Sequence, residues 1–282
     1  MKVIEELKER AQSYQSPDGQ QKLVVDYRTV AEIAARKNQP LRDVEITALK
    51  EDLIPLKYER NLGTVGLQGQ IELLRSRVAV VGLGGLGGFV SELLARTGVG
   101  HLVLIDDDVY DESNLNRQLH SSIKSIGDFK AKTTADRLQL VNPATEIEFY
   151  QKRFTQDSAH LLEDCDLVLD CLDSTQDRFR LQKSCEEQGV TMIHGAIAGR
   201  MGQIAVIEPA GPGLESLYGP LEDIPDQGVE LELGNLGATA AAIAAFEVQE
   251  AIKYITDTSS PLDKEMLLID MATGRCERVA LT

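Results

Sequence analysis

Arg77–Gly88 reads RVAVVGLGGLGG. Four apolar residues, Val78–Val81, run straight into Gly82-Leu83-Gly84-Gly85-Leu86-Gly87, after which Leu86–Arg96 takes up helical spacing. A strand that passes through glycines into a helix is the first turn of a nucleotide-binding βαβ unit. The glycines permit a tight turn and let ligand phosphates approach the backbone. The free amides and dipole of the following helix attract negative charge there. About twenty residues on, HLVLIDDD (His101–Asp108) carries a second strand, Leu102–Ile105, and Asp106 at its end is placed to accept from ribose hydroxyls. Gly82, Gly84, Gly85, Gly87 and Asp106 by themselves describe an NAD-dependent dehydrogenase equally well.

Outward from this turn, apolar runs alternate with helical ones. Strands are predicted at Glu146–Tyr150, Leu167–Cys171, Thr191–Ala196 and Gln203–Ile207, and helices at Lys130–Val141, Ser158–Glu163 and Asp177–Gln188. The alternation predicts an α/β fold, a doubly wound, mostly parallel, Rossmann-like sheet covered on both faces. Residues 209–235, rich in Gly, Pro and acids, read as a long functional coil. An Ala-rich helix (Ala238–Ile255) and a hairpin (Met266–Asp270, Cys276–Leu281) follow. Residues 1–56 read as a separate helical extension: Ile4, Leu7 and Ala11 share helical spacing, Ser16–Gly19 breaks the run, and two amphipathic helices (Val24–Lys37, Leu41–Leu53) follow. The stretch TVAEIAARKNQPLRDVEITAL has the outline of a helix-turn-helix, but its acids and bases balance, so packing is its expected role.

The residues between the second and third strands move the reading from redox chemistry towards phosphate chemistry. Asp107-Asp108 is followed by SNLNRQ (Ser113–Gln118), with Asn114, Arg117 and Gln118, and Lys130 opens the next helix. A phosphate under attack needs fixed cations around its developing charge, which arginine supplies as a planar fork and lysine as a point charge. Beyond the strand Leu167–Cys171 comes Asp173-Ser174; a carboxylate at that carboxyl edge can hold Mg²⁺ jointly with nucleotide phosphates. Asp173 could alternatively cap the helix that follows.

With 282 residues, 43% of them hydrophobic, the chain has enough material for one large domain and an appendage. Its net charge of −16 disfavours a nucleic-acid partner. Cys165, Cys171, Cys185 and Cys276 form no C-x-x-C pair, which fits a reducing compartment. The opening MKVIEELKER lacks a signal-peptide core, and no apolar run is long enough to span a bilayer; a cytoplasmic protein with no membrane partner is expected.

The order KYERN (Lys57–Asn61), GLGGLG, LIDDD, SNLNRQ, GDFK (Gly127–Lys130) and DCLDS (Asp170–Ser174) resembles the ThiF/MoeB/HesA family of ubiquitin-activating-enzyme-like adenylyltransferases, over residues 57–256. The resemblance implies a homodimer. It also implies use of ATP and Mg²⁺ to adenylate the C-terminal Gly-Gly carboxylate of a small ubiquitin-like sulfur-carrier protein, as in molybdopterin or thiamine biosynthesis. It makes residues 57–282 the ATP-binding adenylation domain, with 209–235 as a crossover loop over the carrier tail. It puts the glycines, Asp108 and Gln118 around the nucleotide and Asp106 on the ribose. Asn114, Arg117 and Lys130 fall on the triphosphate, Asp173, beside Ser174, on Mg²⁺, and Arg60 reaches the γ-phosphate from the opposite subunit. Arg60, Arg117, Lys130 and Asp173 are the catalytic set implied. The paired C-x-x-C zinc ligands of many relatives are missing from PGLESLYG and the C-terminal stretch, so no zinc is expected. The loop holds no cysteine for a covalent intermediate. Alternative readings are adenylation of another carboxylate, such as that of a modified tRNA adenosine, and a non-catalytic carrier-binding module.

Overall fold

The computed structural model describes residues 2–17, 19–224, 230–256, 262 and 264–281. The chain begins with α1 (Val3–Arg10), the hairpin β1 (Gln12–Gln15) and β2 (Gln21–Val25), α2 (Tyr27–Lys37), α3 (Leu41–Leu49) and β3 (Leu53–Pro55). The extension is therefore not wholly helical. β1, β2 and β3 form a three-stranded sheet, with Leu23 paired in parallel to Leu53 across both intervening helices. Its strands are three to five residues long, and β1 (QSYQ) has no apolar alternation, so periodicity could not announce them. Leu7, Val25, Val30, Ile33, Val44 and Leu53 close a small core of their own.

After a 3₁₀ turn at Leu56–Tyr58 comes α4 (Leu62–Arg75), a helix absent from the sequence reading, kinked at Gly66 (φ +69°). The main domain then alternates β4 (Arg77–Val81), α5 (Gly85–Thr97), β5 (His101–Ile105), α6 (Lys130–Val141), β6 (Glu146–Tyr150), β7 (Leu167–Asp170), α7 (Thr175–Gln188), β8 (Thr191–Ala198) and β9 (Met201–Ile207). In place of the α-helix expected at Ser158–Glu163 there is a 3₁₀ helix, Gln156–Leu162. Residues 209–235 are not plain coil: α8 (Glu215–Tyr218), a 3₁₀ turn and α9 (Glu230–Leu233) lie within them, and residues 225–229 fall outside the described residues. α10 (Gly237–Ile255), β10 (Glu265–Asp270) and β11 (Arg275–Ala280) complete the chain.

The eight-stranded sheet has the order β11-β10-β9-β8-β7-β4-β5-β6, parallel from β6 through β8 and antiparallel beyond. Its central strands are buried on both faces, as their unbroken runs of Val, Leu and Ile require. One face packs under α5, α6 and α10 through Val80, Leu94, Leu104 and Ile243; the other packs under α7 through Val81, Ile105, Leu181 and Met192. From β4 the chain crosses to β5 on one side and later returns as β7 on the other. The strand order therefore switches beside β4, and a crevice opens at the carboxyl ends of β4, β5 and β7. No helix among the described residues is long and apolar enough to cross a membrane.

Candidate functional site

A cavity of about 330 Å³ occupies that crevice. Gly82, Gly84 and Gly85 line it from the first turn, Asp106 and Asp108 from the end of β5, Arg117 and Gln118 from the following loop, Lys130 from the start of α6, and Asp173 and Ser174 from beyond β7. Ten of the sequence-predicted site residues therefore line one cavity, although they come from segments as much as ninety positions apart.

The four glycines divide into two pairs. Gly82, at φ +89°, lies so close to β7 that a Cβ would stand 2.6 Å from the Cys171 carbonyl oxygen; a Cβ on Gly87 would stand 1.8 Å from the Gly82 oxygen. These two are required by the packing of strand on helix, and Gly87 does not reach the cavity. Gly84 and Gly85 differ: a Cβ on either would meet nothing nearer than 3.6 Å. The protein leaves room for side chains at these positions and carries none, which is what a ligand lying against the backbone needs. Gly85 opens α5, where the first amides have no partner inside the helix.

Around this floor the polar groups are partly committed. Asp106 Oδ2 accepts from the Leu83 amide at 2.6 Å and Oδ1 from the Asp108 amide at 2.8 Å. Burial raises its pKa, against the pull of those two amides and of Lys130. Lys130, almost wholly buried, holds its Nζ 2.9 Å from Asp108 Oδ2. The half-buried Arg117 guanidinium is braced by the Ser113 carbonyl at 3.0 Å and Asn116 Oδ1 at 2.9 Å. Asn114 stands behind the wall: its side chain closes the Asp111–Asn114 turn, and its carbonyl accepts the Arg117 and Gln118 amides. Gln118 Oε1 and Asn235 Oδ1 are buried on the cavity wall without a hydrogen-bond partner, two acceptors available to a bound molecule.

The capping alternative for Asp173 is resolved locally. Ser174 is the N-cap of α7, its Oγ accepting from the Asp177 amide. Among the described residues no hydrogen bond reaches the Asp173 carboxylate, which is exposed at the cavity's edge. The described residues contain no group of three or more His, Cys, Asp or Glu side chains able to hold a metal unaided. An uncommitted carboxylate at the edge of this cavity fits Mg²⁺ shared with a nucleotide, and does not fit a metal held by protein alone. Arg60 lies away from this cavity, its side chain 74% exposed and 3.6 Å from Glu59.

Three residues at the site escaped the sequence reading. Arg178, one turn into α7 and nearly buried, donates from Nε and a terminal nitrogen to the Leu172 carbonyl, at 3.1 and 2.8 Å. Arg153 reaches from beyond β6 to Asp177 at 2.6 Å, joining two walls of the cavity. Asn235 arrives from the end of the crossover segment. Only the position of Arg178 five residues after Asp173 could have hinted at a role. Cys171 and Cys185 are buried and burial raises both thiols, so neither is an activated nucleophile.

Comparison with known proteins agrees with this geometry. The profile of the ThiF family matches residues 58–282. The chain is 34% identical over 220 residues to the SAMP-activating enzyme E1 of Haloferax volcanii, covering 76% of this chain and 80% of that protein. It is 33% identical over 230 residues to the sulfur carrier protein adenylyltransferase of Thermus thermophilus, covering 78% and 84%. Against the adenylyltransferase and sulfurtransferase MOCS3 of Drosophila yakuba it is 32% identical over 238 residues, but spans only 52% of that longer protein. Among solved structures, E. coli MccB with ATP shares the fold, with a TM-score of 0.70 at 21% identity over 80% of this chain and 71% of that one. Glycine floor, buried lysine and family match agree: the chain belongs to the ThiF family and is an adenylyltransferase.

Proposed function

We propose that this enzyme uses ATP and Mg²⁺ to adenylate the C-terminal Gly-Gly carboxylate of a small ubiquitin-like sulfur-carrier protein. The observation that carries the reading is the pairing of two side-chain-free glycines, Gly84 and Gly85, with Lys130, Arg117 and an uncommitted Asp173 around one cavity. The names of the relatives from Haloferax volcanii and Thermus thermophilus support a protein carrier as the acid to be activated.

In this reading the triphosphate lies along the amides of Gly84 and Gly85, and Asp106 accepts from the ribose through the lone pairs that Leu83 and Asp108 leave open. Lys130 is held in place by Asp108 until phosphate oxygens take over as its partner. An oxygen of the carrier's carboxylate attacks the α-phosphorus, the bond to the bridging oxygen of pyrophosphate breaks, and an acyl-adenylate and pyrophosphate result. Lys130 and Arg117 offset the charge gathering on the leaving group, and position accounts for the rest of the rate. The attacking carboxylate is already ionised, so no protein base or nucleophile is needed. Asp173 would hold Mg²⁺, which would supply further screening of that charge. We assign residues 57–282 to this adenylation domain and residues 209–235 to a strap over the carrier's tail. Arg60, exposed and turned away from its own cavity, is assigned to the nucleotide of a second subunit in a homodimer.

ATP–pyrophosphate exchange tests the reading. Exchange is expected with a ubiquitin-like carrier ending in Gly-Gly and is lost when the final glycine is deleted. Exchange that ignores the carrier would overturn it.

A further inference from the structure

Behind the cavity floor the hydrogen bonds close into a ring. Asp170, buried at the end of β7, accepts from the Leu172 amide at 3.1 Å on Oδ1 and from His194 Nδ1 at 2.7 Å on Oδ2. The opposite nitrogen of His194 lies 2.9 Å from the Tyr218 hydroxyl. That hydroxyl accepts from Arg178 at 3.3 Å, and Arg178 returns to the Leu172 carbonyl at 2.8 Å. Gln203 donates a further bond to the Tyr218 oxygen at 2.6 Å.

One protonation pattern satisfies every member. His194 donates from Nδ1 to Asp170 and accepts the Tyr218 proton on Nε2, while both lone pairs of the phenol oxygen receive protons from Gln203 and Arg178. Burial lowers the His194 pKa despite Asp170, keeping the ring neutral as this pattern needs. Two segments are tied together by it. Tyr218 is the last residue of α8, within the segment assigned as the strap, and Leu172 is the residue before Asp173. α8 is anchored further by the Leu214 amide on Gln182 of α7 at 2.7 Å and by Leu214 and Leu217 in the apolar core.

We propose that Tyr218 is a positioning residue: its hydroxyl, through Arg178 and the Leu172 carbonyl, sets the turn that aims Asp173, so the seating of α8 controls how well the site holds magnesium-bound nucleotide. This rests on the assignment of Asp173 to the metal.

The test is calorimetric titration of ATP with and without Mg²⁺, which requires no turnover. Wild type is expected to bind ATP more tightly with Mg²⁺, and Asp173→Asn to lose that gain. Tyr218→Phe keeps the ring and the apolar contacts, and should cut the gain roughly five- to tenfold while leaving metal-free affinity unchanged. In the Asp173→Asn background Tyr218→Phe should change nothing. Full retention of the gain in Tyr218→Phe, equal weakening with and without Mg²⁺, or a loss that persists in the double variant would each overturn the proposal. If Tyr218→Phe melts at room temperature, Arg178→Lys, which cannot fork the Leu172 carbonyl, must lose the Mg²⁺-dependent gain whatever its metal-free affinity, or the proposal is lost. A gain undiminished by Asp173→Asn strikes instead at the metal assignment, leaving carrier-dependent exchange to be judged separately.

Discussion

Gly87 sits directly against Gly82: a Cβ on Gly87 would lie 1.8 Å from the Gly82 carbonyl oxygen, inside any possible contact. The first helix of the nucleotide turn is thereby clamped to the strand that precedes it, whereas Gly84 and Gly85 between them are free of the protein's own packing. The same motif thus contains two kinds of glycine, and substitution separates them.

Gly87→Ala should destabilise the fold by about 3 kcal/mol or more, because the overlap is with backbone that cannot turn aside. Gly84→Ala and Gly85→Ala should melt close to wild type yet bind ATP weakly. Thermal melting alongside ATP titration checks the contrast; equal melting loss at all four positions would remove the case for a ligand-contacting pair.

Lys130 is buried, but its partner Asp108 is 67% exposed, so removing the lysine strands no charge in the core. Lys130→Ala should therefore leave stability nearly unchanged while lowering carrier-dependent exchange by about 10²–10³. A loss of only a few-fold would assign the phosphate charge to other groups.

Glu92 lies buried on α5 under His120, Arg137 and Arg96. Burial raises its pKa, but the hydrogen bonds from those three residues outweigh burial and hold the carboxyl far below its ordinary 4.5. A carboxylate with a depressed folded pKa contributes stability above its unfolded value and loses it as pH falls. The wild-type melting temperature should therefore drop below about pH 4.5, and Glu92→Gln should flatten that part of the profile. An unchanged acid limb in the variant would place the loss elsewhere.

The N-terminal extension is not a detachable ornament. Tyr58 is fully buried between it and the main domain, packed with Leu49, Ile71 and Leu74. Its hydroxyl lies 3.2 Å from Glu45 and accepts from Asn142 at 2.9 Å. Tyr58→Ala should cost about 3–5 kcal/mol, and deletion of residues 1–56 should expose this cluster and lower the melting temperature of the remainder. A truncated chain that melts like the full one would mean that the extension stands apart.

Much of the main domain was legible in one dimension. β6 and α6 begin and end where their apolar spacing predicts; β4, β5 and β7 differ from prediction by one residue at one end, and α5 by one residue at each end. The extension was less so. Its strands are short and polar, and they gain stability only by pairing across two helices, which no local pattern records. Helix α4 was missed because glycines at 63, 66 and 69 interrupt its composition.

What the sequence determined by itself was the order of strands and helices and the chemistry set at their ends: glycines after β4, an acid after β5, a lysine opening α6, an acid after β7. These follow from periodicity and from the rule that ligands lie beyond the carboxyl edge of such a sheet, both readable along the chain. Only the tertiary structure decided which glycines packing requires and which leave room beside the cavity, because that depends on distances to Cys171 and Gly82 across the fold. It also decided that Ser174 takes the helix cap and leaves Asp173 unengaged, and that Arg178 meets Tyr218 from forty residues away. Hydrogen bonds are made between atoms within about 3 Å, and which atoms come that close is settled by packing rather than by position in the chain.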